Sequence, residues 1–305
     1  MLTKPYRDFN SYLRELFGDR VQKISLDAGL TCPNRDGSLS RGGCIYCNER
    51  GSGTGAAKRS QSISSQIQDA KSYLRRRYKA NKFLAYFQSF SNTYAPLSTL
   101  KRLYEEALAD PEIVGLAIGT RPDCVPDEVL NHLKEVSSTH PVLMEYGLQT
   151  ANDATLLRIG RGHAVEAFED AVKRTRSRGL FVCAHAILGL PGESHEDMMQ
   201  TARFLASLDI QAVKIHLLYV VRGTAMDLMH QRGEYRCMSR DQYVRAVGEF
   251  LTLLPPSIII QRLTGDPHPD ELVAPSWALE KQKNLQAIHQ YMHEKNLYQG
   301  KHWNE

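Results

Sequence analysis

Short apolar runs of strand length alternate with stretches of helical period along most of this chain, and no other feature constrains its fold as much. The runs are Val21–Leu26, Phe83–Phe87, Ile113–Ile118, Val142–Leu148, Phe181–Leu188 and Ala212–Val220. Between them, apolar residues share single helical faces. Ile63, Ile67, Ala70 and Leu74 form one face, and Leu100, Leu103, Tyr104 and Ala107 a second. Val129, Leu130, Leu133 and Val136 form a third, and Val165, Phe168, Val172 and Thr175 a fourth. Helix starts are marked by Ser60 or Ser62, by Ser98, by Pro126-Asp127-Glu128, and by Ser194 with Asp197 three residues on. Alternation of this kind builds a parallel sheet with helical crossovers. Six units in about 200 residues are too few for an eight-fold barrel and suit an open, partial one. A doubly wound sheet has the same alternation.

After Val220 the rhythm changes. A helix is predicted around Asp241–Leu254, an Ile-rich strand at Ser257–Gln261, and a helix from Trp277 to about Lys295. This tail reads as an α/β extension packed on the core rather than a second domain. The expected division is a core at 1–225, carrying a long loop at 29–59, and an extension at 226–305.

The chain of 305 residues is long enough to bury a large core without disulfides. Its net charge of +4 permits a nucleic-acid partner without requiring one. No run reaches the roughly 18 apolar residues of a membrane span; the longest, Leu180–Leu190, is interrupted by His185 and Gly189. The N-terminus lacks a secretion signal. A cytoplasmic location is therefore expected, where clustered cysteines bind metal or do chemistry more often than they pair.

Three of the six cysteines lie in the loop after the first strand: Cys32, Cys44 and Cys47, spaced C-x11-C-x2-C. That loop sits at the carboxyl end of the strands, where active sites gather in parallel α/β folds. Three thiolates hold a metal centre without filling it. They suit an iron–sulfur cluster with one open iron, or a zinc site completed by a histidine. A disulfide is the least fitting reading in a reducing compartment.

The rest of the chain resembles the radical S-adenosylmethionine (SAM) enzymes. More narrowly it resembles the YhcC/YtqA-type branch, close to the elongator catalytic subunit and coproporphyrinogen dehydrogenase. The motifs, in order, are Cys32…Cys44-Ile45-Tyr46-Cys47, Gly119-Thr120-Arg121-Pro122-Asp123-Cys124 and Glu145-Tyr146-Gly147-Leu148-Gln149-Thr150. They continue with Arg158-Ile159-Gly160-Arg161-Gly162-His163, Ile187-Leu188-Gly189-Leu190-Pro191-Gly192-Glu193 and Val221-Arg222-Gly223-Thr224. The resemblance implies a partial (βα)6 TIM-like barrel. It also implies a 4Fe–4S cluster on Cys32, Cys44 and Cys47, and SAM on the open iron. One electron from a reductant such as flavodoxin or ferredoxin then cleaves SAM to methionine and a 5′-deoxyadenosyl radical. The protein's part is orientation and exclusion of water.

Strand parity puts Glu145, Gly147 and Gln149 on one face. The resemblance assigns Gln149 to the cofactor, and Glu145 reads either as a ribose ligand or as the partner of a lysine inside the barrel. Arg161 matches a position that binds the SAM carboxylate, and His185 one near the ribose. Tyr46 and the turn at Gly189 are expected around the adenine. The second strand ends without the family's usual glycine-rich segment, so Gln88, Ser89 and Ser91 are the substitutes for holding the SAM amino group. Cys124, Cys183 and Cys237 lack metal-type spacing and read as small buried hydrophobes.

On the sixth strand Lys214 and His216 share a face, which suits an anionic or polar substrate group near the radical; a Lys214–Glu145 ion pair is the compatible alternative. Basic residues also gather at Lys71, Arg75–Arg77, Lys79 and Lys82, and at Lys173, Arg174, Arg176 and Arg178. Such rows suit RNA phosphates or an ordinary solvated face. The family's relatives modify the tRNA wobble uridine, and the implied step converts carboxymethylaminomethyl-uridine to aminomethyl-uridine. The rival readings are a radical SAM enzyme for a small metabolite or tetrapyrrole, and a non-catalytic zinc-binding RNA adaptor.

Overall fold

The computed structural model describes residues 4–51 and 61–304. Residues 52–59 of the expected loop, and Ser60, lie outside the described residues. The strands are β1 (Val21–Leu26), β2 (Lys82–Phe87), β3 (Ile113–Thr120), β4 (Val142–Gln149), β5 (Phe181–Leu188), β6 (Ala212–Leu217), β7 (Val220–Val221), β8 (Ile259–Arg262) and β9 (Leu272–Ala274). Seven form one sheet in the order β1-β2-β3-β4-β5-β6-β8, every neighbouring pair parallel. The result is a half-barrel, and the Ile-rich run of the tail supplies its seventh strand.

The sheet is covered by helices on its convex face because each strand sends alternate apolar residues there. Met144, Tyr146 and Leu148 of β4, Val182, Ala184, Ala186 and Leu188 of β5, and Val213, Ile215 and Leu217 of β6 join the main core cluster. The expected helices stand at Ile63–Tyr78, Leu97–Leu108, Asp127–Ser137 and Val165–Arg176. Ser62 caps the first of these, and Ser194 with Asp197 forms a capping box for His195–Ala206. The helix expected at Ser98 begins one residue earlier, after Pro96.

The run read as Ala212–Val220 divides. β6 stops at Leu217, and Val220–Val221 leaves the sheet to pair antiparallel with β9. β6 ends where its β5 partner ends, at Leu188 opposite Leu217, while β8 has already left the register at Arg262 opposite Lys214. The concave face is closed at the amino ends of the strands by the helix Phe9–Phe17. Its Phe9 packs against clusters built on Leu84, on Tyr86 with Leu143, and on Cys183 with Ile259. The helix touches both edge strands, β1 and β8, and so spans the gap of the open barrel.

Leu13 is buried in this plug at 2% exposure, whereas Leu16 on the same helix is 45% exposed. Leu13→Ala is expected to lower stability by about 2–5 kcal/mol and Leu16→Ala by less than about 0.5 kcal/mol. Denaturant unfolding of the two variants checks this, and equal effects would contradict the plug.

Candidate active site

The loop after β1 is knitted by its own backbone. Cys32 precedes a helical turn at Pro33–Asp36, its carbonyl accepting from the amides of Arg35 and Asp36. Gly43 N–H donates to the Asn34 carbonyl, Cys47 N–H to that of Cys44, and Ile45 N–H to that of Ile159. This folding brings Cys32, Cys44 and Cys47 to the wall of one cavity, with no disulfide among them. The cavity opens at the carboxyl ends of the strands, as the position of the loop requires.

Arg161 is the main cation beside the thiols. Its Nη1 approaches Cys44 Sγ at 3.9 Å, its Nη2 donates to the Gly147 carbonyl at 2.7 Å, and its buried Nε has no partner. Its own carbonyl accepts from Asn34 Nδ2 (2.8 Å) and Arg121 Nη1 (2.7 Å). Arg121 is fixed in turn by both carboxylate oxygens of Asp123, at 2.9 and 2.7 Å. Gly147 is required there: a Cβ would lie 2.6 Å from Gln149 Nε2 and 2.7 Å from Arg161 Nη2. Gln149 has φ +81°, and at the end of β2 Ser89 and Phe90 have φ +75° and +61°. Three non-glycine residues in the left-handed region around one cavity indicate backbone held in place by its surroundings.

The donor set fits an iron–sulfur cluster. Burial, with the Cys44 thiol beside it, pushes the Cys47 thiol up to about 12. A cationic centre held in common by the three sulfurs is what would keep Cys47 as a thiolate against that shift. Arg161 and Arg35 stand near to offset the negative charge, and the unpartnered Arg161 Nε is a donor left for a ligand.

Deeper in the barrel one carboxylate collects the strands. Glu145 is fully buried and pairs with Lys23 of β1, with Lys214 Nζ of β6 at 3.1 Å and with His185 Nε2 of β5 at 2.8 Å. Lys23 also donates to Gln261 Oε1 at 2.7 Å, and Lys214 to the Tyr86 hydroxyl at 2.8 Å. Burial raises the Glu145 carboxyl, but Lys214, Lys23 and His185 outweigh it and hold it well below the ordinary value of 4.5. Burial lowers His185 to about 4, so the ring is neutral at pH 7 and its Nε2–H donates to Glu145. Burial also lowers Lys214, to about 8, against the pull of Glu145. Glu145, Cys183 and His185 are close enough to share a metal, with ligand atoms within 4.8 Å. The two lysines on the same carboxylate already take the place of a cation.

Tyr46, Gln88, Ser89, Glu145, Gln149, Arg161, His185, Lys214 and His216 all line the cavity that holds the three cysteines. Gly189 and Ser91 do not. Gly189 is backed by Met238, whose Sδ would lie 3.0 Å from a Cβ there, and its carbonyl accepts from the Tyr235 hydroxyl at 2.8 Å. Ser91 is fully buried. Sequence reasoning missed Asn34, Tyr86, Arg121 and Arg262 on the wall and Lys23 beneath it. Arg121 stood inside a quoted motif, and Lys23 is a lone lysine within a strand.

Residues 34–205 match the Radical SAM superfamily, and residues 210–294 match the Radical_SAM C-terminal domain. The chain belongs to the radical SAM superfamily. It is 40% identical to the uncharacterized protein YtqA of Bacillus subtilis over 298 residues, covering 98% of this chain and 92% of that one. It is 36% identical to the protein YhcC of Escherichia coli, covering 96% and 94%. The tRNA uridine(34) acetyltransferase of Methanocaldococcus jannaschii is 28% identical over 161 residues, which is 52% of this chain and 29% of that one. Among solved structures, Elp3 of Methanocaldococcus infernus superposes with TM-score 0.66 at 17% identity, covering 92% of this chain and 64% of that one. The family uses a 4Fe–4S cluster with SAM, and an enzyme of this kind replaces the zinc-adaptor reading. No helix among the described residues is long and apolar enough to cross a membrane.

Two outcomes are expected. Cys32→Ala, Cys44→Ala and Cys47→Ala each lose the cluster after anaerobic reconstitution, whereas Cys237→Ala keeps it; iron and sulfide content measures both. Glu145→Gln costs about 3–5 kcal/mol at neutral pH, because it strands buried cations. A carboxyl depressed on folding stabilises fully above its unfolded pKa and loses that stabilisation as pH falls through the folded one. The wild type should therefore lose stability below about pH 4.5 by a component absent from Glu145→Gln; identical pH profiles would refute the assignment.

Proposed function

We propose that this radical SAM enzyme modifies the side chain of a tRNA wobble uridine, with carboxymethylaminomethyl-uridine to aminomethyl-uridine as the step. SAM is the net two-electron oxidant, and the two carbons of the carboxymethyl group leave as glyoxylate when water hydrolyses the resulting imine. When bound, the cluster and SAM supply reductive cleavage to a carbon radical that abstracts hydrogen. The chain's own residues bind and orient. Arg161, anchored through its carbonyl and its Nη2, holds Nη1 beside Cys44 and takes the SAM carboxylate. Gln149 and the left-handed turn at Ser89-Phe90 shape the wall beside it. The Glu145 layer forms a fixed polar floor that cannot shift without unpairing a buried charge.

The observation that carries the enzymatic reading is the shared cavity: three thiols, an underused arginine and a pre-ordered polar floor face one space. The tRNA reading is supported by the similarity over 161 residues to proteins named tRNA uridine(34) acetyltransferase and by cations at the mouth.

Those cations are not the rows singled out in the sequence. The helices Ile63–Tyr78 and Val165–Arg176 end at the amino edge of the sheet, where β2 and β5 begin, opposite the cavity mouth. Lys71 is buried against Asp110 at 2.7 Å, and Arg75 pairs with Glu112. Arg174 pairs with Asp170 and Asp127, and Arg176 with Asp209 at 2.9 Å. Arg35 of the cysteine loop lines the cavity, Arg41 on the same loop is exposed, and the exposed Arg222 directly follows Val221, which lines it too. Phosphate contacts are therefore assigned there.

Reconstituted protein given SAM and dithionite is expected to form 5′-deoxyadenosine, and Arg161→Gln to weaken SAM binding roughly 10–100-fold, the range of a charge-assisted hydrogen bond. Nucleoside analysis of tRNA from cells lacking the protein tests the substrate. An unchanged wobble-uridine profile would remove tRNA and leave the radical chemistry in place.

A further inference from the structure

The inner face of the barrel carries three strand-borne cations, Lys23, Lys214 and Arg262, around one carboxylate, Glu145. The carboxylate is fully engaged by the two lysines and His185. Arg262 receives nothing. Among the described residues its side chain makes no hydrogen bond or ion pair, and its Nε is buried without a partner. Yet it lines the same cavity as the cysteines. It sits beside Lys214 in the sheet register, across an irregularity at Val213/Lys214. Its charge reaches the whole layer: it acts on Tyr86, His185, Lys214 and His216. Burial first, and then Arg262, drive His216 well below its ordinary value, so this histidine is neutral and adds no cation.

An unpaired, half-buried guanidinium is costly unless a ligand completes it, and its planar fork is matched to oxyanions. The SAM carboxylate is not that ligand. That carboxylate is assigned to Arg161, whose Nη1 stands 3.9 Å from Cys44 Sγ and whose Nη2 donates to the Gly147 carbonyl. Lys214 does not serve either, since Glu145 and Tyr86 already occupy its ammonium.

We propose that Arg262 is the receptor for an oxyanion of the substrate, a carboxylate or a phosphate, seated on the β6–β8 side of the cavity. Lys214 adds long-range attraction from behind its ion pair. The inference rests on the cavity being the site of radical chemistry, and it restricts the substrate to molecules that bring a negative group into the barrel.

The test uses the reconstituted, SAM-bound protein, with sodium acetate and sodium phosphate as separate probes at constant ionic strength. Binding is read by ligand-observed NMR, and thermal unfolding is followed in parallel. At least one anion is expected to bind saturably in the millimolar range: acetate alone assigns a carboxylate, phosphate alone a phosphate group, and both a shared receptor. Arg262→Met should weaken that binding more than 10-fold, and Arg262→Lys should weaken it less. Arg262→Met should also raise the melting temperature of the anion-free protein, because an unpaired cation is removed. Absence of saturable binding by either anion, or unchanged binding in Arg262→Met, would overturn the proposal. A lowered melting temperature in Arg262→Met would do the same, since it marks a structural role. None of these outcomes bears on 5′-deoxyadenosine formation, so failure here is distinct from failure of the radical SAM reading.

Discussion

The fully buried carboxylate of Glu145 is the charge around which the inside of the barrel is arranged. A carboxylate without water is expensive, and it persists here because Lys23, Lys214 and His185 reach it from three other strands. Gln261 of β8 joins through Lys23, and Tyr86 of β2 through Lys214. Five strands besides β4 are thus tied to one point on the concave side, between the cavity and the helix Phe9–Phe17. Burial of this kind is weak support for stability in itself, since an apolar layer of equal volume would serve as well or better. Its consequence is positional. Removing Glu145 leaves two lysines without their counter-charge, so the floor of the cavity is held to that carboxylate.

Two further layers depend on that floor. Below it, Lys23 Nζ lies 4.9 Å from the Phe9 ring centre and 4.6 Å from that of Tyr86, linking the charged layer to the helix that plugs the barrel. Above it, Gly147 and Gln149 continue the same face of β4 and bring Arg161 against the cysteine loop. The register irregularity at Gly147/Gln149 and the left-handed Gln149 belong to this step. A regular strand end would not turn the chain so sharply at the cavity wall. Asn34 and Arg121 hold the Arg161 carbonyl from two sides.

Much of this was legible in the sequence where local pattern and site coincide. Once β4 is covered by helices on one face, every second residue must turn inward, so Glu145, Gly147 and Gln149 could be read together by parity. The cysteine spacing located the cavity because a loop after a parallel strand has only one end of the sheet to occupy. What escaped was set by contacts distant in the chain. The Arg75 row looked like a free basic surface, but its acids lie at Asp110 and Glu112 on the loop before β3. Gly189 sat in a recognisable turn, yet Met238 from the tail covers it. The Ile-rich run at residues 258–260 was readable as a strand, but its apolar residues do not say which sheet it joins.

That placement matters most for chemistry. Because β8 joins the main sheet beside β6, the extension contributes Arg262 to the wall, and the chain beyond it returns over the mouth. Gly265 packs against His216 and Tyr219, and Glu271 receives Asn48 at 3.2 Å and Arg50 at 2.9 Å from the cysteine loop. The extension therefore touches the site at its floor, its wall and its rim. The seventh strand brings to the cavity wall a cation that has no carboxylate partner among the described residues. If Arg262 seats the substrate's oxyanion as proposed, discrimination among substrates falls to the strand added last.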